Sequence, residues 1–134
     1  MVIAKKVLDN ALAEGIHLLA GTLETGLPRT EVDKEFAMLK MHGWYIYDEP
    51  TLSNRDVLYK LPHMLLDPNG VPICLLCASI IDKRPSRCQL LIQRYDPDKK
   101  EWGAPKICAT VKQAQRRVTY FYDERQEYNH EPDE

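Results

Sequence analysis

Val7, Leu8, Ala11, Leu12, Ile16 and Leu19 recur three or four positions apart, with Lys6, Asp9, Asn10, Ala13, Glu14 and His17 between them. An apolar stripe backed by a polar side marks an amphipathic helix. The pattern predicts a helix from Ala4 that stops between Ala20 and Thr25, because Gly21, Gly26 and Pro28 follow and a helix interior does not accept proline. Gly15 sits inside it at a cost of about 1 kcal/mol relative to alanine, and the sequence leaves open whether a close contact requires it. A second helix is expected from Thr30, whose hydroxyl is placed to accept from the Asp33 amide, with Glu31 and Asp33 at the positive end of the helix dipole. Val32, Phe36 and Leu39 repeat at helical spacing, Lys40 and His42 occupy the last turn, and Gly43 supplies a left-handed stop.

The pattern then shortens. Trp44-Tyr45-Ile46-Tyr47 reads as a strand broken by Asp48-Glu49-Pro50. Ser53-Asn54 suits the cap of one or two helical turns through Tyr59, ended by Pro62, and an extended reading of 57–61 is the alternative. Asp67-Pro68-Asn69-Gly70 is a turn, since proline fixes its second position and Asn-Gly accepts positive φ. It predicts a hairpin whose second strand, 71–81, is apolar almost throughout, with Pro72 at its start. After a turn at Lys83-Arg84-Pro85-Ser86, a strand over 88–95 puts Leu90 and Ile92 on one face and Gln89 and Gln93 on the other, with Leu91 breaking the alternation. Asp96-Pro97-Asp98 opens a polar loop, a further strand ends near Ala109, and Val111, Ala114, Val118, Phe121, Arg125 and Tyr128 fit the stripe of a helix from Thr110, the favoured reading, while the strand-forming run Val118-Thr119-Tyr120-Phe121-Tyr122 leaves a strand within 110–122 as the alternative. The expectation is one α+β domain over 1–128: two N-terminal helices, an antiparallel sheet of three to five strands between 44 and 109, and a C-terminal helix. Residues 129–134 are expected to be a mobile acidic tail.

A chain of 134 residues, 44% apolar and 28% charged, supports one globular core. Its longest apolar run, 73–78, falls far short of the ~20 residues that cross a bilayer. Asp9, Asn10 and Glu14 stand where a secretory signal needs apolar residues, so a cytoplasmic location is expected. The net charge of −2 divides into −3 over 1–81, +6 over 82–117 and −5 over 118–134. The basic block interleaves Arg84, Arg87, Arg94, Lys99 and Lys100 with Tyr95 and Trp102. Such a set suits an acidic protein surface, or phosphate neutralisation combined with base stacking. The acidic end, from Asp123, is expected to lie transiently over Arg84, Arg87 and the neighbouring lysines and to screen them from nonspecific anions.

Reactive chemistry is sparse. Cys74 and Cys77 have the spacing of half a zinc site, but Cys88 and Cys108 are not a second close pair, and strand residues three apart face opposite sides. Reduced core cysteines are the expectation. His17, His42, His63 and His130 lie in unrelated contexts, and no glycine-rich phosphate loop is present. No catalytic residue, cofactor or metal is therefore expected. Two helices followed by Gly43-Trp44-Tyr45-Ile46 resemble part of a winged helix, a resemblance that implies DNA recognition by the second helix, where Glu31, Asp33 and Glu35 oppose entry into a groove. The preferred reading is a non-enzymatic cytoplasmic interaction protein, an adaptor or inhibitor that binds another protein. The alternative is a nucleic-acid-binding regulator that uses 82–117.

Overall fold

In a computed structural model the described residues are 3–20 and 25–130. They form α1 (Lys5–Ala20), β1 (Leu27–Pro28), α2 (Arg29–Met41), β2 (Tyr45–Ile46), α3 (Leu52–Arg55), β3 (Leu58–Leu66), β4 (Pro72–Ile80), β5 (Arg87–Asp96), β6 (Glu101–Trp102), β7 (Lys106–Cys108) and α4 (Val111–Asn129). The fold class is α+β, and every strand pairing is antiparallel. Seven strands exceed the three to five expected because four of them have only two or three residues, too few to show a period of their own. The order is β2-β3-β4-β5, and the outer edge of β5 is shared by β1, β7 and β6 in turn. No helix among the described residues is long and apolar enough to cross a membrane.

Both faces of the sheet are covered, which explains the apolar run in β4 and the intrusive Leu91. Leu76, Leu90 and Ile92 join Val32 and Phe36 of α2 and Ala114 of α4 in one cluster. Leu75, Cys77 and Leu91 join Leu8 and Leu12 of α1 in another. Successive strand residues point to opposite faces, so α1 lies across the sheet from α2 and α4. The first two helices therefore do not form the paired arrangement of a winged helix.

Local details correct three expectations. Helix α2 starts at Arg29 with Pro28, not Thr30, at its cap position and no side-chain cap bond. Pairing of Pro28 with Arg87 and donation by the Arg29 amide to Ser86 O (3.0 Å) hold that end instead. Its other end closes as expected on Gly43 (φ +82°), with Gly43 N–H bonded to Lys40 O and Trp44 N–H to Leu39 O. Neither Ser53 nor Asn54 caps a helix: α3 is one turn after Thr51, and the extended alternative holds from Leu58. Pro62 lies inside β3 within a register shift, where a missing N–H is tolerated.

Two buried carboxylates tie helices to the sheet. Asp9 of α1 accepts from Tyr47 Oη (3.0 Å), the Thr51 amide (3.1 Å) and Lys5 Nζ (2.7 Å), while Asn54 donates to Asp9 O (3.0 Å). Asp67, in the β3–β4 turn, accepts from the amides of Asn69 and Val71 (2.9 Å each) and from Arg125 Nη1 (3.1 Å) and Asn129 Nδ2 (3.2 Å). The guanidinium of Arg125 also donates to Val71 O (3.2 Å), Pro72 O (2.7 Å) and Tyr95 O (3.3 Å). Side chains of this pair are only 4% and 3% exposed. Burial works against the Asp67 charge, but its hydrogen bonds from Val71, Asn129, Arg125 and Asn69 outweigh burial and hold the carboxyl below its ordinary value.

The acidic end behaves differently from the expectation. Asp123, Glu124 and Glu127 belong to α4, where Glu124 pairs with Arg94 (2.6 Å). Arg87 is seven residues away along β5, about 23 Å, well past the ~8 Å reach of screened charge. These helical acids therefore do not cover Arg84 and Arg87; residues 131–134 of the expected tail lie outside the described residues.

Three substitutions test these contacts by stability measurements. A methyl group at Gly15 would lie 3.5 Å from Leu91 Cδ1 and 3.8 Å from Pro105 Cβ, ordinary contact distances. Gly15→Ala should therefore stabilise the fold by about 0.5–1 kcal/mol in urea unfolding, and a loss would mean that α1 packs more tightly than described. Arg125→Met, which strands Asp67, should cost about 3–5 kcal/mol. Because the Asp67 pKa is depressed on folding, its contribution is present above the unfolded value, about 4, and is lost as pH falls through the lower folded value. Asp67→Asn should lower stability at neutral pH and make it fall less steeply on acidification; an unchanged acid profile would reject that assignment.

Candidate functional site

The residues singled out from sequence do not form one patch. Arg84 is exposed in the β4–β5 turn and Arg87 is half-buried at the start of β5, with its carbonyl accepting from Arg29 Nε (3.1 Å). Arg94, Tyr95, Lys99, Lys100 and Trp102 gather at the far end, around the β5–β6 hairpin. There Arg94 is held by Glu124, and the turn is shaped by Asp96, whose Oδ1 accepts from the amides of Asp98 (2.9 Å) and Lys99 (3.2 Å). Tyr95 is buried, and Trp102 meets its ring edge-on at 5.1 Å. These aromatics are therefore committed to packing, whereas Arg84, Lys99 and Lys100 remain exposed.

A different feature emerges from the helices. Glu35, Met38, Leu39 and His42 make one stripe of α2, and Gln115, Val118, Thr119 and Tyr122 make the corresponding stripe of α4, each at i, i+3, i+4, i+7 spacing. Gln115 Nε2 donates to Glu35 Oε2 (2.7 Å) where the helices meet. A groove of about 400 Å³ lies between these stripes, with Leu65 of β3 and Trp44 completing its lining. Met38 (45%) and Tyr122 (43%) keep much of their surface in solvent. Sequence reasoning found both helices but not the groove, because a stripe on one helix carries no information about which other helix lies beside it.

The cysteines are placed for packing. All four are free and buried, and Cys74 and Cys77 enter opposite core clusters. Burial raises the thiols of Cys74 and Cys77 to about 12 and those of Cys88 and Cys108 to about 11, which favours the neutral thiol, the less reactive form, at neutral pH. Among the described residues no three His, Cys, Asp or Glu side chains cluster in a way that could hold a metal ion. Compared with protein-family models, curated proteins and solved structures, the chain gives no significant match to any of the three.

The thiol environment is directly measurable. A soluble disulfide reagent at about pH 8 should modify none of the four cysteines on the timescale that suffices for all of them after denaturation. Rapid modification of one native thiol would place that residue outside the core.

Proposed function

We propose that this chain is a non-enzymatic interaction protein, an adaptor or inhibitor, that holds an apolar segment of a partner protein between α2 and α4. The groove carries the reading: Met38 and Tyr122 border it while Leu39, Trp44, Leu65 and Val118 supply apolar depth. Exposed apolar surface in a concave setting is what interfaces use, methionine adapts to irregular partners, and tyrosine is enriched at contacts. The occupant that best matches two helices lying on a sheet is a third helix, since helices pack side by side at about 8–10 Å and an amphipathic helix in a groove is a recurrent recognition mode. Four buried, unpaired cysteines support a reducing, cytoplasmic setting.

The nucleic-acid reading requires Arg84, Arg87 and Arg94 to follow one phosphate backbone. Their division between the two ends of β5 and the pairing of Arg94 with Glu124 favour the protein partner.

A pull-down from native lysate with and without nuclease separates the readings. The wild type is compared with Met38→Glu/Tyr122→Glu, at exposed positions, and with Arg84→Glu/Arg87→Glu. A nuclease-resistant partner whose recovery falls by about tenfold or more, equivalent to ~1.4 kcal/mol, only in the groove variant is the expected result. Partners lost on digestion and in the arginine variant, with a steep dependence on salt, would overturn the proposal in favour of nucleic acid.

A further inference from the structure

The opposite side of α2 carries a second feature, independent of the groove. Asp33, Phe36, Ala37 and Lys40 face a depression of about 380 Å³, closed by Ile46 of β2 and by residues 59–61 and His63 of β3. At 100° per residue these α2 positions lie about half a turn from Glu35, Met38, Leu39 and His42. His63 is 7% exposed and meets the Phe36 ring edge-on at 4.9 Å. Its Nδ1 is 2.8 Å from Leu61 O; a carbonyl only accepts, so Nδ1 carries the proton of the neutral ring. Nε2 then presents a lone pair, has no hydrogen-bond partner among the described residues, and is not sealed from solvent.

Charge converges on the same place. Lys60 Nζ lies 3.0 Å from Asp33 Oδ1, and Tyr59 Oη donates to that oxygen at 2.7 Å. The Arg29 guanidinium stands 4.5 Å from the centre of the Tyr59 ring. Lys40 is exposed and has no ion pair among the described residues. Facing His63 are thus Lys40 and Asp33 from α2 and Lys60 and Tyr59 from β3, while β2 contributes apolar Ile46 and β4 apolar Leu76. With Arg29, three cations stand against one carboxylate, beside an apolar surface of Ala37, Ile46 and Leu61.

We propose that this depression binds a small organic oxyanion with an apolar body, its head between Lys40, Lys60 and His63, and that His63 takes up a proton as the ligand binds. The proton comes from solvent and bonds to the Nε2 lone pair, converting an acceptor that repels an oxyanion into a donor that holds one. In the free protein the ring favours its neutral form: burial lowers its pKa, and Lys60 and Lys40 lower it further, against the pull of Leu61 O. A bound anion cancels the lysines' effect and raises the ring's pKa. The sign follows from linkage: affinity is constant below the free ring's pKa and falls by up to about tenfold per pH unit above it, until the pKa of the complex is passed.

Benzoate and phenyl phosphate, titrated into the full chain while the His63 ring signals are followed by NMR, test the proposal. The expected result is a His63 titration midpoint displaced upward by about one pH unit or more at saturation, with benzoate affinity falling as pH rises from the free ring's midpoint to that of the complex, by a total of about tenfold for each unit of displacement. The exposed His17 and His42 serve as internal references. A response to benzoate alone assigns carboxylates, and a response to phenyl phosphate alone assigns phosphate monoesters. Lys40→Gln, at an exposed position, should weaken binding by about fivefold or more. His63→Asn, whose amide can still donate to Leu61 O, should abolish the pH dependence. An unmoved His63 midpoint with both probes at the limit of solubility, or undiminished binding in Lys40→Gln, overturns the site without bearing on the groove.

Discussion

The ion pair of Arg125 and Asp67 decides where the last helix lies. Asp67 organises the turn between β3 and β4 through two amides, and the Arg125 guanidinium bonds that carboxylate and three carbonyls around it. Burying two charges is costly, and the four hydrogen bonds of the guanidinium together with those to the carboxylate offset that cost. The consequence is specificity of placement. With its C-terminal half pinned to the turn and to the end of β5, α4 runs over the sheet in a fixed position, and Val118, Thr119 and Tyr122 form one wall of the groove.

The other face is anchored by the same device with a weaker pair. Asp9 gathers Tyr47, Thr51 and Lys5, so α1 is held to the segment that joins β2 and α3. Between the helical layers, β4 is buried from Pro72 to Ser79, and cysteines serve there as small hydrophobes. Helix α2 then has two open flanks, an apolar groove towards α4 and a cation-lined depression towards β3. The bulged, proline-containing course of β3 also keeps that edge from offering a regular template to another strand.

What could be read directly was what repeats over a few residues. The first helix, the Gly43 stop, the Asp67-Pro68-Asn69-Gly70 turn and the helix that starts after Thr110 all have local causes and stand in the structure, although the buried stripe of α1 is displaced from the expected one: Val7 is 41% exposed, and Asp9, expected on the polar side, is buried. Thr110 caps α4 through its hydroxyl, which accepts from the Gln113 amide (2.9 Å). Thr30 shows the limit of the same rule: its local chemistry was equally suitable, but pairing of Pro28 with Arg87 and the Ser86 carbonyl reached across the chain and started α2 earlier. Arg125 was legible as a charge within an apolar stripe, although nothing near it in sequence identified Asp67 as its partner. The basic residues between 82 and 117 are neighbours in sequence, but an extended strand carries its ends apart.

Fold class, helix periodicity and turn chemistry were thus determined by the sequence itself, because short-range sterics and hydrophobic spacing act within a few residues. Tertiary structure alone decided which face each helix covers, which acid meets Arg125, how Met38 comes to lie across from Tyr122, and that His63 faces Lys40. Those relations join residues tens of positions apart, and they exist only once antiparallel pairing and burial on both faces of the sheet have closed the chain upon itself.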